Sequence, residues 1–325
     1  MTHQLLGPGA EFDRIRKIAE MLGGNAQGLG DDCALLEVGG ETLAISTDVS
    51  VEGIHFRRDW LSLEEIGWRA AAGALSDLAA EGADAPSVVA ALALPPTVDA
   101  DAVTQLMKGV GDATAAAGGH VLGGDLSSSG ELSLCITVIG RAAHPVRRVG
   151  ARPGDGIWVT GSLGLARAAL TTWLRGEVPH PATRAAFARP ESRIRVGRWL
   201  AGHEAHAMID ISDGLAGDAR HLAAASDVRL EIALDKLPVP PEVDAAAKAE
   251  GKTPAVFGAL GGEDYELLVA LPREFGEKEA RECQRATRVP LTRIGEAVQR
   301  TEGGGSVIFW LNGEPVSLSG FDHFR

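Results

Sequence analysis

A chain of 325 residues is too long for one ordinary domain and suits two. Its composition, 45% apolar and 23% charged, is that of a globular protein able to bury a core, and a net charge of −13 excludes a basic footprint for nucleic acid or an anionic membrane across the chain as a whole. The cysteines Cys33, Cys135 and Cys283 are odd in number, far apart and in no CxxC pair, which excludes a disulfide scaffold and a cysteine zinc site.

The opening residues lack a basic segment followed by an apolar one, and no window approaches the roughly 18 apolar residues of a membrane span. The expectation is a cytoplasmic protein with no membrane or nucleic-acid partner. The 41 glycines fall between apolar runs rather than in polar tracts, so they predict tight turns and close backbone approaches, not disorder.

Helical and strand patterns alternate along the chain. Phe12 to Met21 carries a helical apolar stripe, and Thr42 to Ser46 is a short strand ending in Thr47-Asp48. Ser62 with Glu65 three residues later forms a capping box that opens a long Ala-rich helix through Ala80. Ser87 to Leu94 reads as a strand, Ala100 to Ala117 as a helix and Leu132 to Ile139 as a strand. His144 to Gly156 concentrates Pro, Gly and Arg and marks a boundary, giving domains 1–145 and 146–325.

A second set follows: a strand over Ile157 to Thr160, a helix from Gly164 to Leu174, and another over Arg193 to Leu200. A strand over Ala207 to Ile211 precedes a helix to Ala225, Leu237 to Pro241 is a loop, Tyr265 to Leu271 a strand, and a hairpin turns at Asn312-Gly313. The fold class is α/β (α+β) in two domains.

Several familiar signals fail on spacing. Gly251-Lys252-Thr253 resembles the end of a P-loop, but Ala246 stands where glycine is required. Gly28-Leu29-Gly30 and Gly109-Val110-Gly111 lack the third glycine of a dinucleotide fingerprint, and His203-Glu204-Ala205-His206 is one residue short of HExxH.

A set of aspartates remains where strands end or loops turn: Asp31-Asp32, Asp48, Asp77, Asp125, and Asp210 with Asp213. Taken singly, each has an ordinary reading as a turn residue, a helix cap or a solvated side chain. Asp77 stands apart because its helical neighbours Gly73, Ala74 and Ala80 leave room for close approach. Clustered carboxylates suit either coupled acid–base work or hard divalent cations. Two unit charges 4 Å apart interact by about 4 kcal/mol at an effective dielectric of 20, so several ionised aspartates in one crevice call for cations. Mg²⁺ uses one or two carboxylates and leaves positions for substrate phosphates.

At these residues the sequence resembles the thiamine-monophosphate kinase family, within the aminoimidazole ribonucleotide synthetase-like ATP-binding superfamily. The blocks run nearly end to end: Gly9-Ala-Glu-Phe12, Gly30-Asp-Asp-Cys-Ala34, Ser46-Thr-Asp48, Val51-Glu-Gly-Ile-His-Phe56 and Leu75-Ser-Asp-Leu-Ala79. They continue with Gly123-Gly-Asp125, Arg148-Val-Gly150, Asp210-Ile-Ser-Asp-Gly-Leu215, Gly261-Gly-Glu-Asp-Tyr-Glu266 and Gly320-Phe-Asp-His-Phe324. One departure is Leu126, where the family usually carries threonine after the Gly-Gly-Asp block.

The resemblance implies ATP-dependent phosphorylation of thiamine monophosphate to thiamine diphosphate, with several Mg²⁺ ions, in a homodimer formed through the N-terminal sheet. Carried over by position, it implies a metal set of Asp32, Ser46, Thr47, Asp48, Asp77, Asp125, Asp210 and Asp213. It implies ATP contacts at Gly124, Asp125, Arg148 and Ser212, and substrate contacts at His55, Glu263 and Phe321. Asp48, Asp77 and Asp125 are the expected catalytic positions, holding cations around a direct in-line transfer. Two other readings stay open: a superfamily synthetase that releases orthophosphate, and a non-catalytic Mg–nucleotide sensor.

Overall fold

A computed structural model describes residues 6–26, 28–300 and 305–320. After helix α1 (Ala10–Leu22) the N-terminal half builds a five-stranded sheet. Its strands are β1 (Ala34–Val38), β2 (Glu41–Val51), β3 (Asp84–Leu94), β4 (His120–Ser128) and β5 (Ser133–Arg141), in the order β1-β2-β5-β3-β4. Only the β3–β4 pairing is parallel. Helices α2 (Leu63–Ala80) and α3 (Ala100–Ala116) lie on one face.

The C-terminal half builds a seven-stranded sheet. It contains β6 (Gly156–Thr160), β7 (Ala207–Ile211), β8 (Arg229–Ala233), β9 (Glu266–Leu271), β10 (Leu291–Val298), β11 (Ser306–Leu311) and β12 (Glu314–Val316), ordered β12-β11-β8-β10-β6-β9-β7. Helices α4 (Leu165–Leu174), α5 (Pro181–Ala188), α6 (Ile194–Ala201) and α7 (Leu215–Ser226) join these strands to one another, with two short helices at Asp244–Ala249 and Pro254–Ala259 and a longer one at Glu277–Thr287.

Helix α2 organises the molecule. Its N-terminus carries the expected capping box, with Ser62 accepting from Glu65 N and the Glu65 side chain from Ser62 N. Thirteen of its 18 residues are buried, because it packs on β2 and β5 on one side and reaches α6, β7 and β9 on the other. Small residues permit this. A Cβ added at Gly67 would lie 1.9 Å from Leu106 O, and one at Gly109 would lie 1.9 Å from Glu64 O, so α2 and α3 cross with their backbones almost touching.

No strand crosses between sheets, and residues 142–155 connect β5 to β6. The hydrophobic core does not divide there. Leu75, Leu78, Leu134 and Ile136 from the first half share one cluster with Trp158, Met208, Leu267 and Val269 from the second.

Two expectations about strands change. Strand β2 does not stop at Ser46 but continues to Val51, because β5 pairs with it as far as Ser133. Asp48 is therefore aimed by strand alternation rather than by a strand end. Asp125 likewise lies inside β4, a strand hidden in the sequence by the turn-like Gly123-Gly124 and joined to β3 through a register shift.

Candidate active site

Five pieces of chain converge beside α2: the loop ending in Asp31-Asp32, the inner face of β2, the linker at Arg147-Arg148, the end of β7, and the loop 261–265. Ligand atoms of Asp32, Asp77 and Asp210 all lie within 4.8 Å of one another. Ser46, one register step before Thr47 on β2, donates to Asp77 Oδ2 at 2.5 Å. Asp48 shares the inner face with Ser46 and is the strongest like-charge neighbour of Asp77.

The electrostatics are those of a site short of positive charge. Asp77 is pushed well above the usual carboxylate range by burial and then by Asp48, Asp210 and Asp32. Burial and the Asp32 charge push Asp210 up to about 8. Asp32 is raised chiefly by burial against the opposing pull of Arg148. Arg148 grips Asp32 with both ends of its fork, Nε to Oδ2 at 3.2 Å and Nη2 to Oδ1 at 2.7 Å. Burial opposes the Arg148 charge, yet Asp32 outweighs it and holds the pKa above the ordinary value.

Other sequence-identified residues sit around this centre. Ser212 Oγ donates to Asp210 Oδ1 at 3.4 Å, and its carbonyl accepts from Glu263 N at 2.7 Å, which ties two motif loops together. Asp213 lies beyond, its N–H donating to Asp218 Oδ2 at 3.3 Å. It lines a small cavity of about 80 Å³ with Phe12, Arg220, His221 and Gly320. His55 closes the turn after β2: its Nδ1 accepts from Val51 N at 3.1 Å, which leaves the proton of the neutral ring on Nε2. Phe321 lies outside the described residues.

Thr47 and Asp125 are not brought to the cluster within one chain. The Thr47 hydroxyl meets Thr137 Oγ1 at 3.0 Å and Cys135 on the sheet face opposite α2. Asp125 pairs in register with Ala91, which pairs with Cys135, so it shares that opposite face on an edge strand. Three strand spacings, about 14 Å, separate β4 from β2. Gly124 is packed so closely on β3 that a Cβ would lie 1.8 Å from Ala90 O.

Sequence reasoning singled out Asp31 without giving it a role, and it left several other participants unassigned. Asp31 is the structural member of the pair, accepting from Arg147 Nε at 2.8 Å and Arg148 N at 3.0 Å, which fastens the linker. Asp218, 3% exposed, is held well above its usual range by burial and then by Asp213 and Asp210. Buried Arg69 pairs with Glu263. Tyr265, one residue on from Asp264, is pushed up to about 12 by burial, with Asp48 and Asp210 adding to it. Of these, Asp31 and Tyr265 had a signal, their places inside recognised motifs, and Asp218 and Arg69 had none.

Comparisons with known proteins place the whole chain in one family. The AIR synthase related protein N-terminal and C-terminal domain models match residues 30–142 and 152–308. Among curated relatives, the thiamine-monophosphate kinase of Aquifex aeolicus is 33% identical over 98% of both chains. That of Escherichia coli strain K12 is 37% identical over 96% of this chain and 95% of its own.

The chain belongs to the thiamine-monophosphate kinase family. A family structure described as AaThiL complexed with AMPPCP and TMP superimposes with a TM-score of 0.85 at 33% identity, covering 100% of this chain and 99% of that one. The hydrogenase maturation protein HypE, at 21% identity and a TM-score of 0.70, shares the fold alone.

Proposed function

We propose that this member of the thiamine-monophosphate kinase family transfers the γ-phosphoryl group of ATP directly to the phosphate of thiamine monophosphate, giving thiamine diphosphate and ADP. The observation that carries the reading is the convergence of Asp32, Asp77 and Asp210 within 4.8 Å, with Ser46 and Asp48 beside them, in a chain that matches the kinase family end to end. The phosphate acceptor is already deprotonated, so the chain needs no general base. Its task is to position two polyanions in line and offset their charge.

The donor set fits Mg²⁺: oxygen-only and like-charged, with Asp32 and Asp210 buried and Arg148 set against Asp32. Magnesium ions held by Asp32, Ser46, Asp48, Asp77 and Asp210 would neutralise charge on the transferring oxygens. Asp213 extends the acid set toward the cavity beside α7. Arg148 and Ser212 face the same centre and serve the nucleotide phosphates. His55 offers its Nε2–H to the acceptor phosphate, and Glu263 offers a carboxylate oxygen to the aminopyrimidine.

Helix α2 supplies the spacing. Arg69, beneath Glu263, precedes Asp77 by eight residues, about 12 Å along the axis, which suits a substrate with a phosphate at one end and a base at the other. Gly73 lies between them. A Cβ there would stand 3.3 Å from the Tyr265 hydroxyl and 3.5 Å from Asp48 Oδ2, so glycine keeps the floor low.

A second copy of the chain completes the proposal. Strands β1, β2, β5 and β3 leave one face without helices, where Leu36, Val38 and Val49 are exposed at 50%, 51% and 50%. Homodimerisation through this face gives Thr47 and Asp125, which lie on it, a route to the metal and nucleotide roles expected of them. A cytoplasmic location suits an ATP-consuming enzyme with three free cysteines. None of its described helices is long and apolar enough to cross a membrane.

The test is product analysis with the purified chain, ATP, Mg²⁺ and either thiamine monophosphate or thiamine. Thiamine diphosphate and ADP in equal amounts, from the monophosphate only, support the reading. Orthophosphate release without thiamine diphosphate indicates a synthetase, and nucleotide binding without turnover indicates a sensor.

A further inference from the structure

Arg69 is buried where a long cation is costly to place, and its surroundings explain why it is there. Its side chain is 5% exposed, against 27% for that of its partner Glu263. One terminal nitrogen pairs with Glu263 Oε2, and the other donates to the Phe187 carbonyl at 2.6 Å. The guanidinium plane lies over the Phe187 ring, 3.7 Å from its centroid, and 6.0 Å from that of Tyr265. Packed in this way, it has no freedom to swing out to a ligand.

Glu263 is correspondingly fixed. Its backbone adopts φ +66, and Tyr265 adopts φ +50, two left-handed non-glycine residues in one short loop. The two N–H groups donate to Ser212 O at 2.7 Å and Ile211 O at 2.9 Å, so the loop is pinned to the end of β7 that carries Asp210. Between them, Asp264 accepts from Gly164 N at 2.9 Å at the start of α4. Arg69 takes Oε2 of Glu263, and Oε1 is the oxygen it does not take.

We propose that Arg69 is a positioning residue for Glu263, holding the carboxylate in one orientation so that Oε1 accepts a hydrogen bond from the base of thiamine monophosphate. The inference rests on the reading of Glu263 as a contact to that substrate. Arg69, Gly73 and Asp77 then form a ruler on successive turns of α2, setting the base end at one point and the phosphate end at the other. A lysine at position 69 would keep the charge and lose both the planar fork and the stack on Phe187.

The experiment compares KM for thiamine monophosphate, KM for ATP and kcat in the full chain for Arg69→Lys, Glu263→Gln and the double variant. Phe187→Leu, which removes the stacked ring and keeps Arg69, applies the same comparison without touching a charge. Glu263→Gln is expected to raise the thiamine monophosphate KM about tenfold, the scale of one charge-assisted hydrogen bond. Arg69→Lys and Phe187→Leu raise it several-fold, leave the ATP KM within about twofold, and add nothing in the Glu263→Gln background.

Equal increases in both KM values, or effects that multiply in the double variant, would mean that Arg69 only glues the two halves together and would overturn the proposal. If Glu263→Gln leaves the thiamine monophosphate KM unchanged, the substrate role of Glu263 itself is lost. An effect of Glu263→Gln without one of Arg69→Lys removes the role of Arg69 alone.

Discussion

Arg148 is the cation set directly against the acid cluster. It holds Asp32 by a two-pronged pair whose side chains are 14% and 1% exposed. Breaking such a buried pair costs about 3–5 kcal/mol because the remaining charge is stranded, and less when that carboxylate takes up a proton. Arg148→Met is therefore expected to lower the melting temperature most at high pH without metal, and Mg²⁺ should restore much of the loss by substituting one cation for another. Thermal melts in chelator and in Mg²⁺ check this; an equal loss in both would separate Arg148 from the acid cluster. The aspartates of this centre were legible from sequence because each stands in a short motif with small neighbours. Arg69 and Asp218 were not: Arg69 meets Glu263 and Phe187 from far along the chain, and nothing local marks Asp218 as a buried acid.

At the scale of elements, α2 is the part most fully written in the sequence: its cap, its length to Ala80 and its small-residue surface all follow from local chemistry. What a single element cannot announce is which neighbours it meets. The close crossing with α3 predicts that Gly67→Ala, whose Cβ would enter the Leu106 carbonyl, destabilises by about 1–3 kcal/mol. Ser62→Ala, which loses a cap, should cost about 1 kcal/mol and leave KM values unchanged. Denaturant melts give both numbers, and a neutral Gly67→Ala would mean the crossing is looser than described. Strands were less legible. Alternation separates Asp48 from Thr47, but only pairing with β5 shows that β2 runs on to Val51, and β4 was masked by its two glycines.

At the scale of the whole molecule, one buried cluster joins the two sheets, and the gathered aspartates beside it bear on stability. Asp210 rises from 3.8 in the unfolded chain to about 8 when folded, and across that window the folded state binds more protons than the unfolded one. Its contribution to stability is greatest at low pH and is lost as pH rises toward 8. Without metal the melting temperature of the wild type should fall over this range relative to that of Asp210→Asn. Mg²⁺, which binds the deprotonated form, should narrow the gap most at the alkaline end. Parallel curves would contradict this. The open sheet face gives a further expectation: Val49→Glu, placed on that face, should convert a dimer to a monomer in light scattering and reduce turnover, whereas a wild-type monomer with full activity would remove the second copy from the account.

The most direct measurement is the rate of thiamine diphosphate formation against free Mg²⁺, for wild type and for Asp77→Asn, with ATP saturating. Turnover should keep rising with Mg²⁺ beyond the concentration that saturates ATP, and Asp77→Asn should remain at least about 100-fold slower at every concentration while melting no lower than wild type. Near-normal turnover of Asp77→Asn would mean that the gathered carboxylates are not where the phosphoryl group is transferred.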